Sequence, residues 1–145
     1  MEARSIAENV QWVGAIDWDR RVFDALTPLP DGTSYNAYVV SGTQKTALLD
    51  AVDPACTEVL RSRLANAGVQ KIDYVVVHHV EQDHSGAIPR ILAEHLEAKV
   101  LASDKGKSML IDHLGIAEDR IQVVKDGEQI DLGGLTLKFV YFPWV

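Results

Sequence analysis

The sequence predicts an α/β (α+β) domain, on three observations. Short apolar runs of strand length alternate with segments of helical spacing. Gly, Pro and small polar residues punctuate them. One run, Ile72 to His79, carries three consecutive valines, the mark of a strand buried on both faces of a sheet. At 145 residues, 47% hydrophobic and 24% charged, the chain has the size and composition of one globular domain.

The elements follow in order. Val10 to Trp18 is mostly apolar and reads as strand, and Thr27 to Ser34, with two prolines and a glycine, as loop. Tyr35 to Val40 and Lys45 to Asp50 form a hairpin across Ser41-Gly42-Thr43-Gln44. Asp53 is placed to N-cap a helix with Pro54 at its first position. That helix carries Val59, Leu60 and Leu64 on one face and stops at Gly68. After the valine strand, a helix runs from about Ser85 to Leu96, with Pro89 in or just past its opening turn. Val100 to Ala102 is a short strand, Lys105 to Leu114 a helix ended by Gly115, and Ile121 to Val124 a strand. Ile130 to Leu132 and Leu135 to Phe142 make a hairpin around Gly133-Gly134. The sequence ends FVYFPWV, which reads either as a final strand buried in a sheet or as a polypeptide that stops inside a domain.

Charge and composition narrow the function. The net charge of −7 argues against a nucleic-acid binder, which needs a basic face to displace counterions. No apolar run reaches the roughly 18 residues of a membrane span, and the N-terminus lacks the apolar core of a signal peptide. The single Cys56 forms no internal disulfide, so the expectation is a cytoplasmic protein without membrane or nucleic-acid partners.

One segment concentrates the chemistry. In His78-His79-Val80-Glu81-Gln82-Asp83-His84-Ser85-Gly86, five of nine residues can bind metals. They follow a buried strand, where α/β sheets place their ligand sites. Alternate residues of an extended chain point the same way, so His79, Glu81 and Asp83 converge if the strand geometry persists. His84 then approaches from the turn into the next helix. Imidazole with carboxylate suits iron, manganese or zinc, and the lack of thiolates argues against iron–sulfur clusters and structural zinc. Pleat alternation points His78 to the opposite face, a structural role. His95 and His113 read as solvated helix residues, and Cys56 as a packing residue. Asp50 either orients a metal ligand from behind or caps the turn after its strand.

The motif His79-x-Glu81-x-Asp83-His84-Ser85-Gly86 resembles that of flavodiiron proteins, oxygen and nitric oxide reductases with an N-terminal metallo-β-lactamase-like domain. Zinc hydrolases of this fold typically carry His where this chain has Glu81, and the harder oxygen ligand suits iron. Trp12-Val13-Gly14-Ala15-Ile16-Asp17-Trp18, Ser34-Tyr35-Asn36-Ala37-Tyr38, Leu48-Leu49-Asp50, Ile72-Asp73-Tyr74 and Asp131-Leu132-Gly133-Gly134-Leu135 extend the resemblance along the chain.

The resemblance implies a metallo-β-lactamase-like αββα sandwich of which residues 1–145 form the first half only, with a mixed sheet and helices on one face. It assigns His79 and Glu81 to one iron and Asp83 and His84 to the other. The activity implied is reduction of O2 to water, of NO to nitrous oxide, or both, at a non-haem diiron site. Rubredoxin is the kind of electron donor implied, and FMN enters only through a flavodoxin-like domain that is absent here. The family's further ligands, one directly after a segment similar to Phe142-Pro143-Trp144-Val145, lie beyond this sequence. A His-Gly pair of the family is replaced by Asp24 and Ala25. Two other readings stand beside this one: a zinc-dependent hydrolase of the same fold, and a catalytically inactive truncated fragment. A chain that stops here is expected to bind metal weakly, to show no turnover alone, and to self-associate as a homo-oligomer or pair with a complementing chain.

Overall fold

A computed structural model describes residues 2–23 and 25–142. Its strands are β1 (Arg4–Ala7), β2 (Val10–Trp12), β3 (Ala15–Asp17), β4 (Val22–Phe23), β5 (Thr27–Pro28), β6 (Thr33–Tyr35), β7 (Tyr38–Ser41), β8 (Thr46–Leu49), β9 (Tyr74–Val76), β10 (Lys99–Ala102), β11 (Ile121–Val123), β12 (Gln129–Asp131) and β13 (Thr136–Lys138). Its helices are α1 (Thr57–Asn66), α2 (Gln82–Ser85), α3 (Ile88–Glu94) and α4 (Asp104–Leu114). A mixed sheet in the order β1-β2-β7-β8-β9-β10-β11 organises them. β1, β2, β7 and β8 pair antiparallel, and β8 through β11 pair parallel.

Pleat alternation sorts the two faces. The register Val39↔Leu48↔Val75↔Val100↔Ile121 is one apolar row across five strands. It packs against Leu60 and Leu64 of α1, Ile88 and Ile91 of α3, and Leu110 of α4. Each such side chain, once buried, stabilises the fold by about 2 kcal/mol. All three longer helices therefore lie on one face, as the order of elements predicts. The other face shows Val40, Ala47 and Tyr74 to the β12–β13 hairpin, whose Leu132 is fully buried. Beyond that hairpin, Leu49, Val76 and Leu101 floor a cleft of about 650 Å3.

Close backbone approaches decide where strands bend. Val10 to Trp18 is two strands, not one. A Cβ on Gly14 would lie 2.0 Å from the Tyr35 carbonyl oxygen, so only glycine lets β3 cross to β6. Gly42 does the same for the hairpin: a Cβ there would lie 2.0 Å from the Leu132 oxygen. That oxygen accepts from the N–H groups of Gln44 and Lys45, both at 3.0 Å. The expected Gly133-Gly134 hairpin forms, but its second strand ends at Lys138. Val140, Tyr141 and Phe142 are exposed, so the buried reading of this segment does not hold for them. Pro143, Trp144 and Val145 lie outside the described residues. β1 and the small β4–β5 pair were not expected, and β5 falls within the stretch Thr27 to Ser34 read as loop.

Asp53 caps its helix as expected, its Oδ1 accepting from the Ala55 N–H at 2.9 Å, with a short 3-10 turn before α1. The helix expected over Ser85 to Leu96 is shortened to α3, Ile88–Glu94, and the single turn of α2, Gln82–Ser85, precedes it and shares only Ser85 with the expected span. Among the described residues no helix is long and apolar enough to cross a membrane.

Candidate metal centre

Parallel pairing brings the two halves of the site together. β8 and β9 end side by side at Leu49↔Val76, and the Asp50 N–H continues the ladder to the Val76 oxygen at 2.8 Å. Asp50 and the segment after Val76 therefore share one edge. The strand stops there, so the alternation expected to carry His79, Glu81 and Asp83 does not persist. Glu81 is instead the N-cap residue of α2, and its carbonyl accepts from the Ser85 N–H and Ser85 Oγ, both at 2.8 Å. Asp83 and His84 sit within that helical turn.

Two contacts hold the turn in place. The Ala51 N–H donates to the His84 oxygen at 2.8 Å, and the Ala87 N–H to the Val52 oxygen at 3.1 Å. Gly86 is pressed on Pro54, where a Cβ would meet the ring Cδ at 2.5 Å. Beside it, Asp53 Oδ2 accepts from Gln82 Nε2 at 3.3 Å and faces Arg20 at 3.7 Å.

Within this frame the four motif residues come together as two imidazole–carboxylate pairs. His79 Nε2 lies 3.5 Å from Glu81 Oε2, and His84 Nε2 lies 3.6 Å from Asp83 Oδ2. The two rings face each other at 4.0 Å between centroids, tilted by 47°. Among the described residues no three His, Cys, Asp or Glu side chains already converge on one point as a metal cage would need.

Asp50, left open between two roles in the sequence, is the hub behind this site. It is 5% exposed and adopts a left-handed backbone, φ 56°, a conformation aspartate tolerates better than most residues. Its Oδ1 accepts the His78 backbone N–H at 2.9 Å. Its Oδ2 meets His84 Nδ1 at 2.8 Å and His78 Nδ1 at 3.0 Å. Burial alone would push the Asp50 carboxyl up, but the bonds from His78 and His84 outweigh it and hold it near 2. Asp50 in turn raises both imidazoles above their ordinary value.

A carboxylate on Nδ1 fixes the proton there and leaves the His84 Nε2 lone pair directed at the Asp83 side, the arrangement of a metal-ligating histidine with its outer-shell carboxylate. His79 Nδ1 is buried with no hydrogen-bond partner among the described residues, a costly state for an imidazole nitrogen. Nitrogen and oxygen donors in two pairs, one of them already oriented from behind, fit borderline-to-hard metal ions.

Two other readings change, and one holds. His78 does not turn away from the site: it reaches the same carboxylate as His84 and lines the cleft. His95 is not a solvated helix residue. Its Nδ1 accepts the Ile72 N–H at 3.3 Å at the end of α3, and burial pulls its pKa down. Cys56 is buried with its thiol pushed up, which suits the packing role expected of it. Asp24 lies outside the described residues. No local signal marked the Asp50–His84 bond, which joins residues 34 positions apart.

A family model described as ODP family β-lactamase matches residues 33–145. The chain belongs to this family. The ODP-family chain is 38% identical over 140 residues to the rubredoxin-oxygen oxidoreductase of Megalodesulfovibrio gigas, covering 96% of this chain and 35% of that protein. It is 36% identical over 141 residues to a nitric oxide reductase of Moorella thermoacetica, covering 96% and 35%. The crystal structure of the flavodiiron protein from Giardia intestinalis superposes with a TM-score of 0.87 at 28% identity, covering 95% of this chain and 34% of that one. The chain thus spans about a third of the length of these relatives and corresponds to their β-lactamase-like part.

Proposed function

We propose that this ODP-family domain binds a diiron pair as part of a flavodiiron oxidoreductase that reduces O2 to water, NO to nitrous oxide, or both. The observation that carries the reading is the two imidazole–carboxylate pairs, with ring centroids 4.0 Å apart and Asp50 behind one of them. In this reading His79 and Glu81 hold one iron, and Asp83 and His84 the other. Bound there, the irons supply redox chemistry and open coordination positions.

The chain's own residues do the rest. Glu81 and Asp83 offset the charge of two divalent ions, and Glu81 supplies a hard oxygen ligand that favours iron. Asp50 keeps the His84 proton on Nδ1 and so keeps Nε2 free to ligate. The cleft beside His79 and Glu81 has apolar Val76 and Leu101 on its floor and Phe139 on its wall, with Lys105, Lys125 and Lys138 also lining it. The names of the relatives support O2 or NO as substrate and rubredoxin as a donor. FMN, where it takes part, is held outside these 145 residues. We place the protein in the cytoplasm, in keeping with its single buried cysteine.

Expression with iron and zinc both supplied, followed by elemental analysis, tests the reading. Iron in preference to zinc, lost in the His79→Ala and His84→Ala variants, is the expected result. Zinc in preference would favour the hydrolase of the same fold, and no metal under any loading would leave an inactive domain. Donor-dependent consumption of O2 or NO by a polypeptide of the relatives' full length that carries these residues tests the activity itself, and residues 1–145 alone should show none.

A further inference from the structure

We infer that His78 is a positioning residue acting on His84 through Asp50, by taking a share of the one carboxylate oxygen that holds the His84 ring. The inference rests on the reading of His84 as a ligand only for its effect on metal.

The geometry separates this role from simple support. Asp50 Oδ2 meets both ring Nδ1 atoms, His84 at 2.8 Å and His78 at 3.0 Å. The orientation of Asp50 does not depend on the His78 ring. Its Oδ1 is fixed at 2.9 Å by the His78 backbone N–H, which any residue but proline retains, and its side chain is buried. The His78 side chain is itself 57% exposed, so removing it opens no cavity. What the ring adds is a second imidazole nitrogen, 3.0 Å from an oxygen that also serves His84. An acceptor divided between two donors gives less to each. His78 therefore weakens the pull of Asp50 on the His84 Nδ1 proton, and with it the electron density at His84 Nε2. Outer-shell carboxylates raise the basicity of ligating imidazoles, so His78 moderates that gain.

The direction distinguishes this role from packing, because losing His78 should strengthen the neighbouring bond. The test uses His78→Phe, which keeps a ring without a donor, and His78→Asn, whose amide nitrogen can occupy the place of Nδ1. In the metal-free protein, imidazole 1H–15N spectra should show the His84 Nδ1 proton moved downfield and exchanging more slowly in His78→Phe, and near wild type in His78→Asn. In titrations with Co2+ alone, His78→Phe should bind about threefold or more tighter, a fraction of the roughly ten- to hundredfold that outer-shell partners carry. An unmoved or upfield His84 proton in His78→Phe would overturn the inference, as would weaker Co2+ binding. If the wild type takes up no Co2+, the ligand assignment falls and the proton resonance alone decides. Should His78→Phe not fold, His78→Gln takes its place, since its amide lies beyond the Nδ1 position.

Discussion

Behind His84 stands a buried carboxylate bonded to its Nδ1, while the Nδ1 of His79 is buried with no hydrogen-bond partner among the described residues. The companion acids differ in the same sense. Asp83 is 24% exposed inside a helical turn, and Glu81 is 62% exposed at that turn's N-cap. The His84 ring is thus oriented by long-range structure. His79 is held instead by packing, its ring lying on that of His84 at 4.0 Å, and Glu81 is largely exposed. One motif of six residues therefore holds two unequally supported halves, and the difference comes from Asp50, a partner outside the motif.

The strongest way to break this asymmetry is Asp50→Ala. It strips the shared acceptor from both His78 and His84 and should destabilise the fold by about 3 kcal/mol. Urea unfolding measures this, and Co2+ spectra should show the Asp83–His84 pair disturbed more than the other. Gly86→Ala comes next. Its Cβ would meet the Pro54 ring at 2.5 Å, and neither the ring nor the helical backbone can yield cheaply. A cost of about 2 kcal/mol is expected, with α2 displaced and His79 left in place.

A pH series sharpens the comparison further. The Asp50 carboxyl is held near 2 against an ordinary 3.8, so its contribution is present above about 3.8 and is lost as pH falls toward 2. His78 and His84 are raised above 6.5, so theirs is complete below about 6.5 and is lost as pH rises through the folded values. The stability difference between wild type and Asp50→Asn should therefore be greatest between about pH 4 and 6.5 and shrink on both sides. His95, whose pKa is lowered by burial, loses stability as pH falls below 6.5, but does so equally in both proteins and cancels. A difference flat from pH 3 to 9 would show that the hub is not ionic.

Glu81→Ala should have the smallest structural effect. With its carboxylate mostly exposed and paired with His79 at 3.5 Å, unfolding free energy should move by no more than about 0.5 kcal/mol. Iron content should nevertheless fall. Stability lost at Asp50 but kept at Glu81 is the signature of the two unequal halves.

Much of this was legible in the sequence. The valines of β9, the hairpin at Gly42, the cap at Asp53 and the motif from His79 to His84 follow from residue type and short-range periodicity, which act through neighbours along the chain. The sequence placed the motif at a strand end and selected its donor chemistry. It did not show that the strand stops at Val76, that Glu81 becomes the N-cap residue of a short turn, or that Gly86 lies against Pro54. Nor did it decide between capping and orienting for Asp50, or bring His78 to the same oxygen. Those outcomes depend on parallel pairing of β8 with β9, which sets residues 28 and 34 positions apart within a hydrogen bond of each other. Contacts of that range leave no period in a sequence, so only the closed tertiary structure decides them.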